Sequence, residues 1–188
     1  MVMNLSDNLV LFGLAEGAGG VNGSIFKATY PDDGSPPQVA VPLRAVTPGY
    51  FALLGETIED GRDFTSLDRR TAPPQPNTAS ADRLVAIVNR TFAERYWPNG
   101  NAIGRKLWRG SREQPALEVV GVVSDTRTND LTRAPEPEVY MPLWQAAAFS
   151  KHLVVRSRVD PASITGAVQR GLKALVPTVG IEGVQTLE

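Results

Sequence analysis

Hydrophobic residues gather in short blocks between stretches rich in Pro, Gly and charged residues, and the densest block is LEVVGVVSD, Leu117 to Asp125. Val119, Val120, Val122 and Val123 put apolar groups on both faces of a pleat, the pattern of a strand covered on two sides. Gly121 stands inside it, where a neighbouring backbone or bulky side chain comes close. Such a strand needs a sheet beside it and layers above and below, so this block predicts the centre of the fold.

The other blocks are arranged around it. Residues 2 to 12 read as a strand, and the Gly-rich stretch 17 to 23 as a loop. Ser24 to Tyr30 and Gln38 to Val46 are strand candidates, separated by a Pro- and Gly-containing turn over 31 to 37. A short helix follows: Thr47 is placed to cap it, Pro48 to open it and Gly55 to close it, with Phe51 and Leu54 sharing a face. Residues 56 to 64 read as a turn anchored by Phe64. Residues 65 to 82 have almost nothing to bury and predict a long exposed loop.

Leu84 to Val88 is a short apolar strand, and Asn89 caps a helix running to Trp97. Phe92 and Tyr96, like Ala93 and Trp97, are four apart and form an aromatic face opposite Arg90, Glu94 and Arg95. Pro98 to Gly100 ends that helix. Residues 101 to 107 form a turn and strand start, leading through a hairpin signal at 110 to 114 into the central strand. Val139 to Leu143 reads as an edge strand, because prolines flank it. Residues 152 to 157 and 179 to 184 predict two more strands. The helix between them has Asp160 as cap, Pro161 in the first turn, and Ile164, Val168, Leu172 and Leu175 at helical spacing. Strand, helix, strand is a βαβ unit or its split equivalent.

Composition narrows the function classes. The 188 residues carry a formal net charge of -1, which leaves no electrostatic footprint for nucleic acid or an anionic membrane surface. The sequence has no cysteine, excluding disulfides, thiolate metal sites and cysteine nucleophiles. No apolar run approaches the roughly 18 to 20 residues of a membrane span, and no signal-peptide succession is visible. The sequence starts inside an apolar segment and stops directly after a strand-like stretch, as a piece of a longer chain would.

Candidate chemistry is thin. Gly17 to Gly20 lacks the Lys-Ser/Thr pair of a P-loop and the spacing of a dinucleotide fingerprint, which favours a flexible loop. His152 is the one histidine, and no Gly-x-Ser-x-Gly elbow or His-Glu-x-x-His helix accompanies it. Asp125 ends the central strand, where a carboxylate paired with Arg127 would suit a site in an α/β sheet, although a turn-forming Asp is the simpler reading. Glu136 and Glu138 alternate with prolines and are expected to face solvent, with no further oxygen ligands visible for a hard cation. Arg105, Lys106, Arg109 and Arg112 read as a solvated rim, and Phe92, Tyr96 and Trp97 as core. No catalytic, cofactor-binding or metal-ligating residue is assigned.

Several of these stretches, in order, resemble one family. Val46-Thr47-Pro48-Gly49-Tyr50-Phe51 is followed by Gly61-Arg62-Asp63-Phe64, then Val85-Ala86-Ile87-Val88-Asn89 with Ala93 and Tyr96-Trp97-Pro98. Next come Ala102-Ile103-Gly104-Arg105, Val119-Val120-Gly121-Val122-Val123 and Glu138-Val139-Tyr140-Met141-Pro142-Leu143. The series resembles the MacB-like periplasmic core domain of FtsX-type ABC transporter permeases, of the duplicated type common in acidobacteria. The resemblance implies an α+β fold: a porter-like split βαβ lobe (residues 1–45 and 146–188) interrupted by an inserted, mostly β lobe carrying short helices (46–145).

It also implies a non-catalytic extracytoplasmic domain, on the periplasmic side of the bacterial inner membrane, that couples ATP-driven movement of transmembrane helices to efflux, extraction or partner regulation. The implied partners are the transmembrane helices of the parent permease, a second permease copy or subunit, a cytoplasmic ABC ATPase acting through the membrane part, and a periplasmic adaptor. No cofactor and no nucleic acid is expected. Two readings from other classes stand beside it: a free-standing small-ligand sensor with 65 to 82 as its lid, and an enzyme acting through Asp125 and Arg127.

Overall fold

The structure, a computed structural model, describes residues 3–5, 8–16, 25–29, 39–68, 83–98, 100–109, 115–125, 134–145, 152–178 and 180–181; at 3–16, 25–29, 39–40, 109 and 152 only the backbone is described. The chain divides into two compact units, Met1–Phe12 with Val155–Glu188, and Gly13–Val154.

The predicted central strand is β8, Leu117–Val123, counting strands from the first, β1 (Met3–Leu5). It pairs in parallel with β6, Leu84–Asn89, whose six residues are all buried. One residue of β8 is extra. Ala86 lies opposite Val119 and Ile87 opposite Gly121, so Val120 bulges out of the ladder. The bulge sets the inward pattern of β8: Leu117, Val119 and Val122 join one hydrophobic cluster with Leu84, Ala86 and Val88, while Val120 and Val123 join a second with Val85 and Ile87. Gly121 is required here, since a Cβ would fall against the Arg62 carbonyl and the Ile87 side chain.

The larger unit's sheet closes on itself. On its other side β8 meets β7 (Lys106–Arg109) and then β5 (Ile58–Gly61), both antiparallel. β7 continues to β3 (Ile25–Thr29), β3 to β4 (Val39–Val46), β4 to β9 (Val139–Pro142), and β9 returns to β6. β5 falls in the stretch whose sequence predicts a turn; its exposed Glu59 and Asp60 give no apolar alternation, and only pairing with β8 makes it a strand.

β9 corrects a second expectation. It is not an edge strand: it lies between β4, parallel, and β6, antiparallel, with all four residues buried. The flanking prolines are compatible with this because Pro137 precedes the strand and Pro142 is its last residue, so neither removes a donor from its middle.

The short helices serve different clusters, α1 the second and α2 the first. In α1, Tyr50–Leu54, Tyr50, Phe51 and Leu53 are buried, and Phe51 packs edge-on to Tyr140 with ring centroids 5.0 Å apart. Thr47 is not its side-chain cap. Gly49 takes that position at a φ of 81°, and its amide donates to Asp63 Oδ2 at 2.9 Å; Gly55 closes the helix at a φ of 82°, as its residue type predicts. In α2, Arg90–Tyr96, Asn89 accepts from the Phe92 amide at 3.0 Å. Phe92 and Trp97 are buried in the first cluster, with Ala93 and Tyr96 against it, so the aromatic face is core.

β2 (Asn8–Glu16), whose first five residues belong to the smaller unit, carries β1 antiparallel and pairs with β10 (His152–Arg156). α3, Pro161–Leu175, starts as predicted: Asp160 Oδ1 accepts from the Ala162 amide at 2.9 Å and Pro161 follows. Its apolar stripe is half-buried at Ile164, Val168 and Leu172, and Leu175 is 55% exposed. The strand expected at 179 to 184 lies outside the described residues except for Gly180 and Ile181, which are irregular. The stretches 17 to 23, 31 to 37, 69 to 82 and 110 to 114 also lie outside them.

Candidate functional site

Asp125 is placed by the end of β8 beside α2, where its Oδ1 accepts from the Thr91 amide at 2.9 Å. With Asn89 on the Phe92 amide, two of the helix's free N–H groups are thereby satisfied, so Asp125 acts as a helix cap. Arg127, Arg112 and the Gly-rich stretch 17 to 23 lie outside the described residues, as do the side chains of Arg109 and His152. Lys106 is exposed, and Arg105 folds its Nε onto the Asn101 carbonyl at 3.3 Å. Among the described residues no cluster of His, Asp or Glu is placed to hold a metal ion, and no helix is long and apolar enough to cross a membrane.

Glu138 departs from the solvent-facing expectation. Glu136 is exposed, whereas Glu138 is 4% exposed and carries the centre of a polar network inside the sheet. Arg44 Nη2 donates to its Oε1 at 3.1 Å, and the Tyr140 hydroxyl donates to its Oε2 at 2.5 Å. The register explains the meeting: Arg44 lies opposite Tyr140 in the parallel β4–β9 pair, and Glu138 stands two residues before Tyr140, on the same face. Asn89 then locks the backbone, its amide donating to the Glu138 carbonyl at 3.2 Å and its Oδ1 accepting from the Glu138 amide at 2.9 Å. Burial pulls the pKa of Arg44 down, but Glu138 together with Tyr140 and Tyr50 outweighs it and the net direction is up, so the guanidinium stays charged. Burial also raises the Tyr50 phenol above its usual range.

A second polar group forms around Asp68, which is 8% exposed in a 3-10 turn over Ser66–Asp68. Arg62 grips its carboxylate with both Nη atoms at 2.8 Å, and the Thr65 amide donates to Oδ2 at 2.7 Å. Burial pushes this carboxyl up, but the Arg62 and Thr65 bonds outweigh it and hold the pKa below the ordinary 3.8. The Asp68 carbonyl accepts from Trp144 Nε1 at 2.9 Å and Gln145 Nε2 at 2.6 Å. On the neighbouring surface Arg83 pairs with Glu118 through two hydrogen bonds.

Neither network was foreseen from the sequence. Arg44 sits in a strand whose other buried side chains are apolar, and Asp68 in a stretch of loop composition. A signal for the first existed in hindsight: an Arg within an apolar strand needs a buried partner, and Glu138 lies in the one apolar strand block that begins with an acid. Chemically both arrangements hold structure. Both Glu138 oxygens are engaged, and Asp125, Asn89 and Asp68 each serve backbone amides.

Comparison with known proteins agrees with this architecture. The sequence finds no match among curated proteins. The fold is similar to the periplasmic region of MacB from Actinobacillus actinomycetemcomitans, with a TM-score of 0.55 and 15% identity over 87% of this chain and 83% of that one. It is similar in the same degree, TM-score 0.55 and 15% identity, to a domain assigned to a permease protein from Porphyromonas gingivalis, covering 87% of this chain and 69% of that one. The extracellular domain of the ABC-type transporter YknZ from Gram-positive bacteria aligns at a TM-score of 0.49 and 18% identity, over 86% of this chain and 81% of that one. A family model for the MacB-like periplasmic core domain matches residues 7–175, and the chain therefore belongs to that family, the extracytoplasmic part of ABC-type transporter permeases.

Proposed function

We propose that this domain is a non-catalytic coupling element of its permease: cytoplasmic ATP hydrolysis moves the transmembrane helices, and the domain carries that movement to events outside the membrane. The observation that carries the reading is the family match over residues 7–175. The site chemistry supports it, because the buried charged groups described above are tied to structural partners. The partners proposed are the transmembrane helices of the parent, a second permease copy or subunit, a cytoplasmic ABC ATPase acting through the membrane part, and a periplasmic adaptor. The lobes are proposed as 1–45 with 146–188, porter-like, and 46–145, inserted. The discontinuous smaller unit, Met1–Phe12 with Val155–Glu188, supports a split lobe, while β3 and β4 pair within the larger unit.

The test is made in the parent permease with its ATPase, reconstituted in nanodiscs. Spin labels at the exposed positions Glu94 and Arg170 report the distance between the two units by double electron–electron resonance. Coupling predicts a changed distance distribution on trapping the ATPase with ATP and vanadate. Identical distributions in the nucleotide-free and trapped states would refute it. The sensor alternative drew on residues 65 to 82 as a lid, of which 69 to 82 lie outside the described residues.

A further inference from the structure

The side-chain amide of Gln145 stands in for a missing piece of strand. β6 is paired on one side by β8 along its whole length, but on the other side β9 reaches only Ile87 and Val88. At the open half, Gln145 Oε1 accepts from the Val85 amide at 3.1 Å and Nε2 donates to the Arg83 carbonyl at 3.3 Å. A residue of a parallel neighbour makes that same pair of bonds, one to a carbonyl and one to the amide two residues on. The remaining Nε2 hydrogen goes to the Asp68 carbonyl, beside Trp144 Nε1. One amide, 5% exposed, thus ties residue 68 and residue 83 to the turn that follows β9.

We propose that the turn Leu143–Gln145 is a clasp: it fastens the backbone at Asp68 and at Arg83 to the sheet, and it can let go of both without opening the strand ring. The geometry separates the two events. The clasp bonds come from side chains of a three-residue turn, whereas the ring is held by the backbone ladders β6–β8, β6–β9 and β4–β9. Asp68 is its keystone, with the carboxylate held by Arg62 and the carbonyl held by the turn, so loosening one grip weakens the other. The proposal stands on this geometry and does not rest on the coupling reading.

Hydrogen exchange read by NMR on the 188-residue chain tests it, with Gln145→Met, which keeps volume and removes the amide, and the milder Trp144→Phe. The expected result in Gln145→Met is exchange about tenfold or more faster at Thr65, Asp68 and Val85, with the amides of Val119 to Val123 changed less than about twofold. Trp144→Phe should accelerate Thr65 and Asp68 but not Val85. The second reading is a cycle with Arg62→Ala, in which the double variant should shift the unfolding equilibrium by about fivefold less than the product of the single shifts. Unchanged exchange at all three amides, acceleration spread evenly through β8, failure of Gln145→Met to fold, or a cycle that multiplies out would each overturn the clasp.

Discussion

Glu138 and Asp68 are both buried carboxylates gripped by an arginine, yet they are satisfied by opposite means. Glu138 is held by Arg44, 94 residues away along the chain and itself only 7% exposed at the side chain. Asp68 is held by Arg62, six residues away and 42% exposed. The first pair is a tertiary device that exists only when β4 and β9 are aligned; the second is a local turn whose cation stays in water. A charge desolvated on both sides depends on its partner far more than one whose partner is solvated. That difference ranks the expected mutational effects.

The largest effect belongs to the strand pair. Arg44→Met or Glu138→Leu alone leaves an uncompensated buried charge and should destabilise by about 3–5 kcal/mol, a large part of a typical total of about 5–15. The double variant Arg44→Met/Glu138→Leu removes both charges and should recover most of that loss in urea melts. If the double variant is as unstable as the sum of the singles, the pair is not the reason these strands tolerate charge, and the comparison with Asp68 fails.

Asn89 comes next, because it serves the strand network and the helix together. Asn89→Ala removes the acceptor for the Phe92 and Glu138 amides and the donor to the Glu136 carbonyl, leaving buried groups unsatisfied. A loss of about 2–3 kcal/mol is expected. Asn89→Ser keeps a neutral capping oxygen and should lose less; equal losses would mean that capping is not what the residue supplies.

The apolar skeleton was legible in the sequence and these polar groups were not, for a physical reason. Val119, Val122, Phe92 and Phe51 announce themselves by spacing, since burial of a hydrophobic side chain requires no particular partner. The caps at Asn89 and Asp160 were legible too, because a cap acts within three residues of itself. Glu138 depends on β4 and β9 being neighbours, which no local pattern shows, and prolines at 137 and 142 suggest an edge unless their places before the strand and at its last residue are known. Asp68 required the turn that brings Trp144 and Gln145 to it, residues far along the chain. Family resemblance supplied the α+β fold where local pattern could not connect the blocks.

Asp68 sharpens the comparison through pH. Its folded pKa lies below the ordinary value, so its contribution is fully present above that ordinary range and is lost as pH falls through the lower, folded value. Asp68→Asn should cost about 1 kcal/mol at pH 7, less than either change at the strand pair, because Arg62 is rehydrated cheaply. Once the pH is below that folded value the variant and the parent chain should converge in stability. A gap that stays constant down to pH 2 would show that the carboxylate charge is not what the turn uses.

The smallest effect should come from Arg83 and Glu118, which share two hydrogen bonds but sit at the surface, with side chains 62% and 29% exposed. Arg83 holds the Glu118 carboxyl below its ordinary 4.5, the hydrogen bonds contributing most. Exposed pairs contribute little because water already solvates both ions and salt screens them beyond about 10 Å at 0.1 M. Arg83→Ala should therefore lower the stability measured by urea unfolding by no more than about 0.5 kcal/mol while the Glu118 titration, followed by carboxyl NMR, moves up toward the ordinary value. The two readings separate geometry from energy. A Glu118 titration unmoved by the substitution would mean the pair does not form in solution, and a loss of 2 kcal/mol or more would mean that exposure of the cation is not what distinguishes Asp68 from Glu138.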